Sequence, residues 1–282
     1  MIDLRAPWSP SGAFALRLSF TQLQAPGDTV RFWLSSALST LRNLIAEGFP
    51  FMTTQATRSL GILGLEPAPL VTPEPPGAVL HPSNFEFPLI SETVAGAWAE
   101  NVSRGDPALE AACIAAARRL VERGAVAISS DCGFFIRHQA AVAAAVNVPV
   151  ALSSLLLLPT LLRQLPSPAK IAVLTFDSTR CTEDLLGIDD PVERSRIAIG
   201  GIEGSNYWHD SHQPTPPPVD VDALKKDVTA SLARLRDAHP DIAMILLECT
   251  GFPRVAPAIR HSTKLPVYDI TTLCRMTYAS VA

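Results

Sequence analysis

Ala125-Val126-Ala127-Ile128-Ser129-Ser130-Asp131-Cys132-Gly133 and Ile242-Ala243-Met244-Ile245-Leu246-Leu247-Glu248-Cys249-Thr250-Gly251 repeat one pattern: an apolar run, a short polar turn, a cysteine and a glycine close behind it. Each run has the length and composition of a strand buried on both faces, as in parallel sheets covered by helices. In such sheets ligands bind at the carboxyl ends of the strands, and a strand, a small-residue turn and a helix present a side chain there. The two thiols are therefore expected to face one another across a shared cleft.

Outward from these stretches the chain alternates strands and helices. Leu60-Gly61-Ile62-Leu63-Gly64-Leu65 is the first clear strand, and the proline-rich stretch 66–88 reads as a long loop over the sheet edge. A helix is expected to begin near Ser91. A second is capped by Asp106 with Pro107 at its first position, and carries Leu109, Cys113, Ala116 and Leu120 on one face. After Cys132 come a helix over 135–146, a strand over 148–152, a Ser153-Ser154 turn and a leucine-rich helix. A strand over 170–175, a helix over 179–186, a strand over 195–202 and a polar insertion over 203–218 follow. Val221, Leu224, Val228, Leu232 and Leu235 keep helical spacing behind Asp220. Beyond Cys249 come a helix over 253–260, a strand over 265–268 and a closing helix from Thr271.

The fold class is thus α/β: two pseudo-symmetric lobes, each a mainly parallel sheet flanked by helices, with the active site in the cleft between them. The first lobe is assigned residues 52–152 with 262–282, and the second 153–261. Residues 1–51 differ in character, being irregular and proline-containing with an amphipathic pattern over 30–47. Met52-Thr53-Thr54-Gln55-Ala56 resembles an ordinary start, so 1–51 is read as a mis-assigned N-terminal extension.

Over 282 residues, 48% are hydrophobic, 18% are charged and the net charge is −4, which gives no reason to expect nucleic acid as a partner. The five cysteines are an odd number without a CxxC pair, and no secretory leader is recognisable, so free thiols and a cytoplasmic location are expected. The nearly uncharged stretch 140–162 contains Asn147, Pro149, Ser153, Ser154 and Pro159 and splits into separate elements, so no membrane span is expected. A homo-oligomer is left open.

A thiol acts as base or nucleophile only as thiolate, and amides at the start of a following helix are expected to lower its pKa. Gly133 and Gly251 let backbone N–H groups approach a bound carboxylate. Facing thiols around one carbon suit deprotonation on one face and reprotonation on the other, an inversion that needs no cofactor. Free cysteine is also among the most buried residue types, and Cys113, Cys181 and Cys274 are read as core.

Ala127-Ile128-Ser129-Ser130-Asp131-Cys132-Gly133-Phe134 together with Leu247-Glu248-Cys249-Thr250-Gly251 resembles the aspartate/glutamate/hydantoin racemase superfamily, over about Arg58 to the C-terminus. The Phe87-Pro88 segment and Ala97-Trp98-Ala99-Glu100-Asn101 add to the resemblance. It implies a cofactor-independent isomerase of two α/β lobes, with Cys132 and Cys249 as the acid/base pair. The expected function is racemisation or epimerisation at the α-carbon of a small carboxylate-type substrate, an amino acid or hydantoin. Glutamate and aspartate racemases tend to carry Asn-Thr after the first cysteine, where this chain has Gly133-Phe134, so their substrate does not carry over. Ser130, Asp131, Gly133, Phe134, Ser153, Ser154, Thr250 and Gly251 are the candidate substrate-binding residues, with Thr250 a donor to a substrate carboxylate.

Arg137 is a further candidate carboxylate partner. His209-Asp210-Ser211-His212 lies in a polar insertion with no third ligand in sight, so no metal is expected. The alternatives are a decarboxylase or lyase of the arylmalonate or maleate type on the same scaffold, needing one thiol, and a non-catalytic small-acid binding protein. The presence of both cysteines favours the racemase.

Overall fold

The computed structural model describes residues 58–66, 81–213 and 217–281. All of them belong to one compact unit, Thr54–Ala282. The readings made for 1–51, for the amphipathic stretch 30–47, for a start at Met52 and for the middle of the 66–88 loop lie outside the described residues.

Two parallel sheets form the framework. β1 (Ser59–Gly64), β2 (Leu89–Thr93) and β3 (Ala125–Ser130) make the first, in the order β2-β1-β3. β4 (Lys170–Thr175), β5 (Ile197–Gly201), β6 (Ile242–Leu247) and β7 (Val267–Tyr268) make the second, in the order β5-β4-β6-β7. Every pairing is parallel. The flanking helices are α1 (Ala99–Arg104), α2 (Glu110–Glu122), α3 (Gln139–Ala145), α4 (Leu158–Leu162), α5 (Pro191–Arg194), α6 (Asn206–Ser211), α7 (Val221–Ala238), α8 (Ala256–Thr263) and α9 (Ile270–Ala279).

The period-two alternation of strand side chains divides the second sheet between two cores. Ile171, Val173, Met244 and Leu246 point into the cluster that also holds Leu60, Ile62 and Ile128 of the first lobe. Ala172, Leu174, Ile245 and Leu247 face the other way, against Leu224, Val228 and Leu232 of α7 and Ile259 of α8. The shared core joins the lobes. α7 is started by Asp220, whose Oδ1 accepts from the N–H groups of Asp222 and Ala223, both at 3.0 Å. Over β1, α2 lies so close that a Cβ on Gly61 would meet Ala125 Cβ at 3.0 Å and Leu120 Cδ1 at 3.1 Å. Of the stretch 262–282, β7 pairs with β6 in the second sheet and α9 packs against β3.

The register fixes where the cysteines fall. Ser130 at the end of β3 lies beside Leu63, and Leu247 at the end of β6 lies beside Leu174, so both cysteine loops leave at the carboxyl edge of their sheets.

Several local expectations change. The stretch at Ser91 is the edge strand β2 rather than a helix, with Leu89 and Ile90 half-buried and Glu92 held by the side chain of Arg119 at 2.5 Å. Asp106 caps as expected, but a 3-10 turn, Pro107–Leu109, precedes α2. In the strand expected over 148–152, pairing is limited to a single bridge from Ile128 to Val150, because Pro149 has no N–H to extend a ladder. The helix expected over 179–186 shrinks to the 3-10 turn Glu183–Leu185. The polar insertion contains α6, started by Ser205, whose Oγ accepts from the Trp208 N–H at 3.2 Å. No helix among the described residues is long and apolar enough to cross a membrane.

Leu120 is fully buried between α2 and β1. Truncating it to alanine leaves a cavity at this contact and is expected to cost about 2–5 kcal/mol in urea unfolding. A loss below about 1 kcal/mol would contradict the close packing described here.

Candidate active site

Each cysteine sits in the turn that ends its strand. Cys132 is extended, at φ −141° and ψ 124°, and begins the 3-10 segment Gly133–His138, which aims the Phe134 N–H at its sulfur. Cys249 precedes the segment Phe252–Arg254, and its sulfur receives the N–H groups of Gly251 and Phe252. Thr250 Oγ1 donates to the Asp131 carbonyl, and Ser154 Oγ donates to the Leu247 carbonyl at 2.8 Å. The first bond crosses between the lobes beside the thiols, and the second ties the Ser153-Ser154 turn to the end of β6.

Glu248 occupies the space between the loops. It is 1% exposed. Its Oε2 accepts from Thr175 Oγ1 at 2.7 Å and its carboxyl also takes the Phe176 N–H. Oε1 has no hydrogen-bond partner. A Cβ on Gly133 would lie 2.1 Å from Oε1 and 2.5 Å from the Glu248 carbonyl oxygen, so the glycine after Cys132 is a packing requirement of this carboxyl.

These surroundings reverse the expected direction of the thiol pKa values. Although both thiols keep partial exposure, the protein packed around each sulfur outweighs the amides. Burial, then the negative charge of Glu248, pushes Cys249 up to about 12 despite its two N–H groups and the positive charge of Arg254. Burial, Glu248 and Asp131 hold Cys132 well above the ordinary thiol range, and Phe134 alone supplies an amide against them. Burial also raises Glu248 to about 7, opposed by the Thr175 and Phe176 hydrogen bonds and the charge of Arg137. Cys113, Cys181 and Cys274 are buried, as expected of core residues.

Most of the hydroxyls proposed for substrate binding are bonded within the protein. Ser130 Oγ donates to the Leu152 carbonyl at 2.6 Å and also lies 2.8 Å from the Cys132 carbonyl, which shares its one hydrogen. Ser153 Oγ accepts from the Leu155 N–H at 3.3 Å, and the Asp131 carboxylate accepts from the Leu65 N–H at 3.0 Å. Thr250 is bonded to Asp131 across the lobes and Ser154 to Leu247. Phe134 is buried. Arg137 donates to the Arg180 carbonyl at 2.8 Å and lies 3.8 Å from Asp184. No metal-holding group of His, Cys, Asp and Glu occurs among the described residues, and His212 stacks on Phe176 with ring centres 5.5 Å apart.

Four residues without an assigned role in the sequence reading also reach the site. Glu248 is one; a charged residue closing an apolar strand next to a cysteine was its signal. The others are Phe176, Tyr207 and Arg254. A methyl placed on Gly251 would be 2.8 Å from the Tyr207 hydroxyl and 3.6 Å from the Cys249 sulfur, so Tyr207 roofs that thiol. Its hydroxyl bonds to Ser211 and Arg254 and is pushed up to about 12, chiefly by burial. Phe176 meets the Tyr207 ring edge-on at 6.2 Å. No local pattern marks Phe176 and Tyr207, because the end of β4 and α6 bring them in from distant sequence, whereas Arg254 lies in the segment that follows Cys249.

No protein-family model matches the chain. It is 31% identical over 204 residues to a dimethylsulfoniopropionate lyase of Durusdinium sp. clade D, covering 69% of this chain and 66% of the relative. It is 28% identical over 234 residues to dimethylsulfoniopropionate lyase 7 of Emiliania huxleyi, covering 79% and 67%. The chain thus spans about two thirds of the length of these relatives. Among solved structures, a mutant of arylmalonate decarboxylase in a sulfate-associated form superposes with a TM-score of 0.52 at 20% identity, over 79% of this chain and 92% of that one. Glutamate racemase from Francisella tularensis gives 0.53 at 12% identity, over 80% and 81%, and allantoin racemase from Klebsiella pneumoniae gives 0.52 at 10% identity, over 79% and 87%. At these identities the superpositions establish the fold alone. The isomerase and racemase assignment drawn from the cysteine pair is overturned: the relatives found by sequence carry the name of a lyase.

Glu248 also yields a stability test. Its folded pKa of about 7 exceeds the ordinary 4.5, so the folded state holds the proton more tightly, and its contribution declines as pH rises from about 4.5 to about 7. Glu248→Gln removes that decline. The variant is expected to gain on the parent by about 2.5 kcal/mol between pH 5 and pH 8 in urea unfolding. A difference that stays constant with pH would contradict a buried, proton-holding carboxyl.

Proposed function

From a chain with the fold of the aspartate/glutamate/hydantoin racemase superfamily, we propose a lyase that cleaves dimethylsulfoniopropionate, with the Cys249 thiolate as base. The observation that carries the substrate is the 31% identity to a dimethylsulfoniopropionate lyase. The site supports the chemistry. This substrate has a carboxylate, an acidic α-CH₂ and, on the β-carbon, a dimethylsulfonium. A base takes an α-proton, the C–H electron pair becomes the C=C bond, and the C–S bond breaks with its pair leaving on sulfur. The products are acrylate and neutral dimethyl sulfide, and the thiol formed returns its proton to water.

That sequence needs one base and no acid, because the leaving group departs uncharged. The two thiols differ accordingly. Cys249 has two amides and the Arg254 charge in favour of its thiolate, whereas Cys132 has one amide and the added negative charge of Asp131 against it. Cys249 is the base, and Cys132 lines the opposite wall. Arg254, hydrogen-bonded to Tyr207, supplies the positive charge that suits the substrate carboxylate and makes the neighbouring α-proton more acidic. A thiol raised by burial is scarce as thiolate but strongly basic once formed.

Measured as dimethyl sulfide release, Cys249→Ser is expected to lower kcat by about 100-fold or more, and Cys132→Ser by less than about tenfold. Equal losses would instead indicate a reaction that needs both thiols. Because the thiolate fraction grows with pH toward about 12, kcat/KM should climb steadily from pH 7 to pH 9. A profile flat across that range would exclude Cys249 as the base.

A further inference from the structure

We propose that Glu248 is a counter-charge that selects a substrate whose far end is a permanent cation, an inference that rests on the lyase reading and extends it to specificity. The carboxyl is 1% exposed, and Oε1 lacks any hydrogen-bond partner although Oε2 is bonded to Thr175 at 2.7 Å. A buried carboxylate with a bare oxygen is costly, and the protein tolerates it where something compensates. Among the described residues no group donates to Oε1, although the charge of Arg137 acts on the carboxyl. Arg137 spends its guanidinium on the Arg180 carbonyl and Asp184. Asp131, Cys132 and Cys249 bring no positive charge.

The carboxyl lies against the cysteine loops. It abuts Gly133, the residue after Cys132, and it exerts the largest charge effect on both Cys132 and Cys249. A sulfonium has no N–H to donate, so charge and contact are all that can recognise it. An acceptor left without a donor, across from such a group, loses nothing by its presence and gains Coulomb attraction in a water-poor site. The same carboxyl takes the N–H of Phe176, whose ring meets Tyr207 edge-on at 6.2 Å, so aromatic surface suited to a methylated cation lies alongside. The anion end and the cation end of the substrate are thereby given opposite partners, Arg254 and Glu248.

The test uses two ligands of one shape: dimethylsulfoniopropionate, and 4-methylpentanoate, in which CH replaces the sulfonium sulfur. In the parent protein the sulfonium should bind at least about tenfold more tightly than its neutral isostere. In Glu248→Gln, KM for the sulfonium should rise about tenfold or more while the inhibition constant of 4-methylpentanoate stays within about twofold. Both constants moving together would reduce Glu248 to a structural residue, and neither moving would remove it from recognition. Equal affinity of the parent protein for the two ligands overturns the proposal even if the variant fails to fold. Selective binding of the sulfonium without release of dimethyl sulfide would uphold the counter-charge and sink the lyase reading.

Discussion

The crossing of the two cysteine loops is the constraint on which the site depends. Thr250, next to Cys249, donates to the carbonyl of Asp131, next to Cys132, and the Glu248 carboxyl fills the place where any side chain on residue 133 would stand. Parallel strands ending at a common edge would bring the loops near one another. This bond and this contact fix their separation, and the shared core of Ile171, Val173, Met244 and Leu246 with the first lobe holds the sheets behind them. Gly133 and Thr250 are thus positioning residues, and their polar atoms and surfaces are largely occupied within the protein.

That closeness has an electrostatic consequence. Two thiols and a carboxyl packed together out of water do not ionise easily: burial raises all three, Glu248 raises both thiols further, and Cys249 adds to the rise of Cys132. Such a site suits a substrate that brings positive charge with it. The same balance separates the two chemistries open to this scaffold. Inversion at carbon asks both thiols to exchange protons in turn, whereas elimination of a neutral sulfide asks for one base, and the surroundings of Cys249 and Cys132 are unequal in that sense.

The fold was largely legible where burial on both faces writes a continuous apolar run, as in β1, β3, β4 and β6. It was misread where strands are partial: β2 is an edge with alternating exposure, and Pro149 stops pairing beyond one bridge. The two cysteines were visible because strand-end placement is a local signal. Tyr207 and Phe176 were not, since they reach the second cysteine loop only through the packing of α6 and β4, and Arg254, though close to Cys249 in sequence, gains its role only through its bond to Tyr207. The thiol pKa direction was misjudged for the same reason: amides after a cysteine can be read from sequence, but the burial and the Glu248 carboxyl that outweigh them cannot. Isomerase and lyase were likewise inseparable from the thiols alone, because the outcome is decided by whether the substrate carries a leaving group on the β-carbon.

The central claim is that proton abstraction here ends in C–S cleavage. The most direct measurement is a proton NMR time course of the full-length protein with dimethylsulfoniopropionate in D₂O. Acrylate and dimethyl sulfide should appear in equal amounts as the substrate disappears. Intact dimethylsulfoniopropionate, alongside α-deuteration of an amino acid or hydantoin offered to the same preparation, would contradict it.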